Sequence, residues 1–267
     1  MKLEIISKYP ENNPRSTPIL FVHGAFGGAW CWEEYFLPYF AGHGYVSHAL
    51  SFRGHGNSEG NEFLCVNGIA DYVADLIQVV RDLGTSPILI GHSMGGLIVQ
   101  KHLESFERPA AALLASIPHT GLLSAAMKMF WRSPMHYQKL CLINMLPKDM
   151  WEYVTSFQEV RDIFFSKKVS PETVKKYLPY FQQESHRAMW EMTWFKFLPQ
   201  PCEVKTPLLV LGGEHDMIIP PDFVKSTARA YNTRAHIFPD MGHAMMLDKD
   251  WQVVADRILD WLNKIGL

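Results

Sequence analysis

A serine placed to act as a nucleophile stands at position 93, inside Gly91-His92-Ser93-Met94-Gly95. The apolar run Pro87-Ile88-Leu89-Ile90 leads straight into it, which predicts a strand before the serine and a helix after it. A turn of that kind holds the serine in a strained backbone conformation with its hydroxyl clear of the sheet. Glycines flank it because a Cβ there would meet the neighbouring strand and helix. A serine hydroxyl is a poor nucleophile until a base takes its proton. The motif therefore asks for a histidine, an acid and an oxyanion hole elsewhere in the chain.

The base is expected on a loop after the last strand. Asp240-Met241-Gly242-His243 follows the β-type run at 235–238, which makes His243 the general base. The acid should orient the imidazole and stabilise it when protonated. The buried run 208–211 opens into Gly212-Gly213-Glu214-His215-Asp216, and Asp216 is the chosen acid, with Glu214 its competitor and Asp240 and Asp248 further off. The order Ser93, Asp216, His243 is the order this serine motif uses. One oxyanion donor comes with the turn, the amide of Met94 at the start of the following helix. The second is expected from His23-Gly24-Ala25-Phe26-Gly27-Gly28, with Ala25 ahead of Phe26. Phe26, Trp30 and Trp32 are candidates for the substrate pocket, with packing under the sheet as the alternative. Arg53-Gly54-His55-Gly56-Asn57-Ser58 lacks the spacing and the lysine of a phosphate cradle and reads as a structural loop.

These residues need a frame. Short β-type runs recur at 3–6, 18–22, 46–50, 87–90, 111–115, 207–211 and 235–238, several of them apolar throughout. Strands of that kind are covered on both faces, so an α/β fold is expected, with a mostly parallel sheet between helices. Helical spacing runs from Ile69 to Leu83 and from Trp251 to Ile265. The alternation breaks at 120–199, where the text is helix-like and dense in Met127, Met129, Phe130, Trp131, Met135, Tyr137, Met145, Met150 and Trp151. The expected division is a core of 1–119 and 200–267 with a helical insertion at 120–199, and with Pro118, Pro199 and Pro201 as hinges.

With 267 residues, 48% hydrophobic, the chain can build one large core plus a small added layer. A net charge of −2 without basic or acidic runs argues against nucleic acid or an anionic membrane as partner. No stretch approaches the roughly 20 apolar residues that span a bilayer. The N-terminus lacks a signal-peptide pattern, so the cytoplasm is the expected compartment. Cys31, Cys65, Cys141 and Cys202 form no C-x-x-C pair and read as free buried thiols. The 12 histidines show no metal-ligand spacing, and neither metal nor organic cofactor is expected.

Taken in order, His23 to Gly28, Arg53 to Ser58, Gly91 to Gly96, Gly212 to Asp216 with Pro220, and Gly242-His243 resemble the α/β-hydrolase superfamily over nearly the whole chain. The resemblance implies that residues 120–199 form a cap over the active site. Haloalkane dehalogenases and epoxide hydrolases carry aspartate where this chain has Ser93. Hydroxynitrile lyases place lysine after the catalytic histidine, where this chain has Ala244. The reading is a serine hydrolase of the esterase or lipase kind, forming an acyl-enzyme on Ser93 with a small, largely apolar ester or thioester. Carbon–carbon bond hydrolases and cofactor-free perhydrolases use the same triad and stay open. A receptor built on the fold is the rival from another class; its usual mark is a damaged triad.

Overall fold

Seven short runs of four to six residues, apolar throughout at 19–22 and 111–114 and mixed with polar residues at the edges, form the strands of a single sheet. The computed structural model describes residues 1–194 and 198–267. The strands are β1 (Ile5–Lys8), β2 (Ile19–Val22), β3 (Ser47–Leu50), β4 (Ile88–His92), β5 (Ala111–Leu114), β6 (Leu208–Gly213) and β7 (Ala235–Phe238). Their order across the sheet is β1-β3-β2-β4-β5-β6-β7. All neighbours are parallel except β1, which runs antiparallel to β3 at the edge, with Ile5 opposite Leu50. Every residue of β2 to β6 is buried, so helices must cover both faces.

The helices before the insertion are α1 (Trp30–Glu33), α2 (Phe36–Gly42), α3 (Ile69–Asp82) and α4 (Met94–Leu103). Between β5 and β6 come α5 (Leu123–Arg132), α6 (Pro134–Met145), α7 (Trp151–Val154), α8 (Phe157–Phe164), α9 (Pro171–Tyr177) and α10 (His186–Thr193). The last two are α11 (Pro221–Ala230) and α12 (Trp251–Lys264). Serine caps open three of the inserted helices, α8, α9 and α10: Ser156, Ser170 and Ser185 each accept a backbone N–H from the first turn. Residues 195–197, at the end of the expected insertion, lie outside the described residues.

Strand order reverses between β2 and β4, because β3 pairs on one side of β2 and β4 on the other. The loops leaving the carboxyl ends of adjacent strands diverge at such a point and open a crevice. The glycine-rich loop after β2 and the serine turn after β4 both sit there. No described helix is long and apolar enough to cross a membrane.

One expectation changes, and two sets of side chains find their places. Only Cys31 is buried; Cys65 and Cys202 are exposed, on short 3₁₀ helices at the surface, and Cys141, on the Pro134–Met145 helix, lies between. Trp32 is fully buried against Phe21 and Phe36 under the sheet, so the packing alternative holds and it lines no pocket. Most of the singled-out insertion residues face outward: Met127, Phe130, Trp131, Met135, Met145 and Met150 are exposed, whereas Met129 and Trp151 are buried. Helical period identifies a stripe but not the side it is turned to.

Candidate active site

Ser93 takes φ 50° and ψ −117°, a conformation that costs a non-glycine residue energy and is held by its surroundings. The surroundings are tight. A Cβ on Gly95 would lie 2.4 Å from the carbonyl oxygens of Val22 and His23, and one on Gly91 would lie 2.6 Å from that of Gly95. Both contacts are with backbone, so neither could yield by a side-chain turn. The glycines thus let the serine turn press against the loop after β2.

Asp216 and His243 meet. The Nδ1–H of His243 donates to Asp216 Oδ2 at 2.8 Å. The other carboxylate oxygen accepts the amides of Ile218 and Ile219, each at 2.8 Å. Both side chains are buried. With Nδ1 committed, the Nε2 edge of the ring is left for a proton from elsewhere. His243 and Ser93 line the same cavity, together with Ala25, Phe26, Trp30 and Met94. Its volume is about 60 Å³. Among the described residues no hydrogen bond joins the Ser93 hydroxyl to His243; such contacts are commonly loose before substrate arrives.

The other carboxylates lie elsewhere. Glu214 and Asp240 are exposed, and Asp240 pairs with Lys168 and His215. Asp248 is buried but ties two loops together, accepting Ser166 N at 2.8 Å and Gly242 N at 3.3 Å. Glu214, His215 and Asp240 cluster closely enough to touch a common ion, but all three are exposed and none reaches the cavity.

Ala25, Phe26 and Met94 line the cavity, and none of their backbone amides donates to a backbone carbonyl among the described residues. Met94 is the first residue of α4, where the helix leaves its N–H groups free and its dipole favours negative charge. Ala25 precedes Phe26, whose φ of +66° turns its carbonyl to accept Gln182 N at 3.0 Å. The insertion therefore braces the loop that carries Ala25 and Phe26.

Two polar links have no signature in the text. The buried His92 ring donates from Nε2 to the carbonyl of His243 at 2.9 Å, tying the histidine loop to the serine turn. Burial, with His243 beside it, holds the His92 pKa well below its ordinary value. On the other flank His55 donates from Nε2 to Glu184 at 3.1 Å and from Nδ1 to the Arg53 carbonyl at 3.1 Å. Burial opposes charge on His55, yet Glu184 raises its pKa overall. Glu184 also accepts from Tyr72 at 2.8 Å. The Arg53–Ser58 segment is thus a structural loop, and it anchors the insertion to the core.

His23 is neutral for a reason of geometry as well as burial. Its Nδ1–H donates to Gly24 O at 2.8 Å, and its bare Nε2 accepts the Phe52 amide at 3.1 Å. Burial, with His55 nearby, lowers its pKa to about 3. Burial, with Arg108 adjacent, likewise lowers His102 to about 3. The unfolded chain protonates these rings near 6.5, so below that it binds more protons than the folded chain. Each such ring should remove about 1.4 kcal/mol of stability per pH unit between about 6.5 and 3. His55 works the other way, its contribution lost as pH rises through its raised pKa. The urea midpoint should therefore fall steadily from pH 7 to pH 4; a midpoint unchanged at pH 4 would contradict the neutral buried rings.

A nearly parallel seven-stranded sheet, with a strained serine after one strand and an Asp–His pair from the loops after the last two, defines an α/β-hydrolase fold. The sequence pattern of the alpha/beta hydrolase family matches residues 19–257, and the chain belongs to that family. Among its relatives is the AB hydrolase superfamily protein YisY of Bacillus subtilis, 26% identical, with 92% of each chain covered. Mouse epoxide hydrolase 3 is 24% identical, over 91% of this chain and 69% of its own. Among solved structures, the esterase EaEST of Exiguobacterium antarcticum superposes with a TM-score of 0.75 at 16% identity, covering 98% of this chain and 95% of that one.

Proposed function

We propose that the protein is a serine hydrolase that cleaves a carboxylic ester or thioester of a small, largely apolar substrate. The observation that carries the reading is the 2.8 Å Asp216–His243 hydrogen bond, which presents the far edge of the ring to a cavity holding a strained serine. His243 takes the Ser93 proton as the oxygen attacks the acyl carbonyl. The amides of Ala25 and Met94 hold the negative oxygen of the tetrahedral intermediate; one such donor is typically worth about 10²–10³ in rate. His243 then protonates the leaving alcohol or thiol. Water, deprotonated by the same ring, releases the acid from Ser93. Asp216 keeps the proton on Nδ1 throughout.

In this reading residues 1–119 and 200–267 are the catalytic body and 120–199 a lid. Phe26 and Trp30 line the cavity, whose surface is mostly apolar. The epoxide hydrolase among the relatives suggests ring opening as another chemistry. Attack by a serine on an epoxide would leave an ether, which water does not release, whereas attack on an ester leaves a hydrolysable acyl group.

A fluorophosphonate probe tests the proposal. One equivalent should be taken up by the native protein, and peptide mass spectrometry should place it on Ser93. Folded protein that stays unlabelled after long incubation would favour a receptor on the same scaffold.

A further inference from the structure

The reaction cavity shares a wall with a larger apolar space. A second hollow of about 250 Å³, open to solvent beside the exposed Met145 and Trp190, lies among α5, α6 and α10 of the insertion. Leu122, Leu140, Met189 and Ile218 line both spaces. The remaining walls of the second hollow include Ala126, Tyr137 and Thr193, which do not reach Ser93's cavity. The partition is thus made of aliphatic and thioether side chains, and Met189 is the most deformable of them, with three rotatable bonds.

The sizes matter. Some 60 Å³ beside Ser93 accommodates a short acyl group and little more. The surface there is apolar, so a longer acyl chain is favoured over water, and it needs somewhere to go. The adjoining hollow is apolar and about four times larger.

We propose that the hollow among α5, α6 and α10 is the binding site for the distal part of an unbranched, medium-length acyl chain, admitted past Leu140 and Met189. The inference rests on the hydrolase reading, since it places the ester of that chain at Ser93. Leu140 and Met189 are then specificity-determining residues. They decide whether the enzyme sees one chamber or two.

The test uses p-nitrophenyl acetate and decanoate with the full chain, alongside calorimetric titration of decanoate itself. Ala126→Trp, filling the hollow from its far side, should lower kcat/KM for the decanoyl ester at least tenfold and leave acetate within twofold. Decanoate affinity should fall with it, and acetate turnover reports that the variant is folded. Met189→Ala should raise the decanoate-to-acetate ratio severalfold. Ratios unchanged in both variants, with acetate hydrolysed normally, would overturn the inference and leave the hydrolase reading standing. A protein that cleaves neither ester, yet binds decanoate in a manner Ala126→Trp abolishes, would sink the hydrolase reading and keep the site.

Discussion

Replacing Ser93 by alanine should lower turnover of an activated ester by about 10⁴–10⁶-fold and abolish fluorophosphonate uptake. The size of the loss follows from what is removed. In the proposed mechanism no acyl-enzyme then forms, and only the proposed oxyanion amides and substrate binding remain to help water. The fold should survive. The Ser93 hydroxyl makes no hydrogen bond among the described residues, and alanine leaves the Cβ and the φ of 50° where they are. His243→Ala should produce a similar loss, and the double variant should be little worse than either alone, because the two side chains act as one unit. Steady-state kinetics with a circular-dichroism melt check both points. A Ser93→Ala protein retaining a tenth of the activity would move the nucleophile elsewhere.

Asp216→Asn should cost about 10⁴ in kcat, with Glu214→Gln within twofold of the native protein. The local hydrogen bonds explain why an isosteric change would be so severe. Asp216 Oδ1 must accept two amides, from Ile218 and Ile219. An asparagine will keep its carbonyl oxygen there, which turns its NH₂ toward His243 Nδ1. The ring then has to bare Nδ1 and carry its proton on Nε2, the nitrogen that should receive the serine proton. The imidazole stays in place in the wrong tautomer. The two variants together check the assignment, and a severe Glu214→Gln beside a mild Asp216→Asn would transfer the role to Glu214.

The strands around the site were legible because buried parallel strands are written as apolar runs, and those at 19–22 and 208–211 recur in β2 and β6. The boundaries moved where polar or glycine residues continue a strand. β4 runs on through Gly91 and His92, and β6 through Gly212 and Gly213, because the sheet pairs them regardless of side chain. β1 begins two residues later than its alternation suggests, at Ile5. In the insertion, composition showed helices but not which faces turn inward. The cavity wall there is built from Leu122, Leu140, Phe164, Phe181, Met189 and Met192, none of which stands out in the text.

By itself the chain's text determined the local pieces of the candidate site: a serine between glycines after an apolar strand, a glycine-rich loop, and a histidine just past the last strand. These are short-range matters, governed by sterics of a turn and by which residue types can carry a proton. Tertiary structure decided among equals. Asp216, Glu214, Asp240 and Asp248 are the same kind of group on neighbouring loops, and only packing brings Asp216 to His243 while giving Asp248 to Ser166 and Gly242. It also created what no local pattern could specify, the His92 tie, the Glu184–His55 anchor and the wall between two apolar chambers. Contacts between residues a hundred positions apart depend on how the elements stack, and one sequence window carries no record of its partner across the fold.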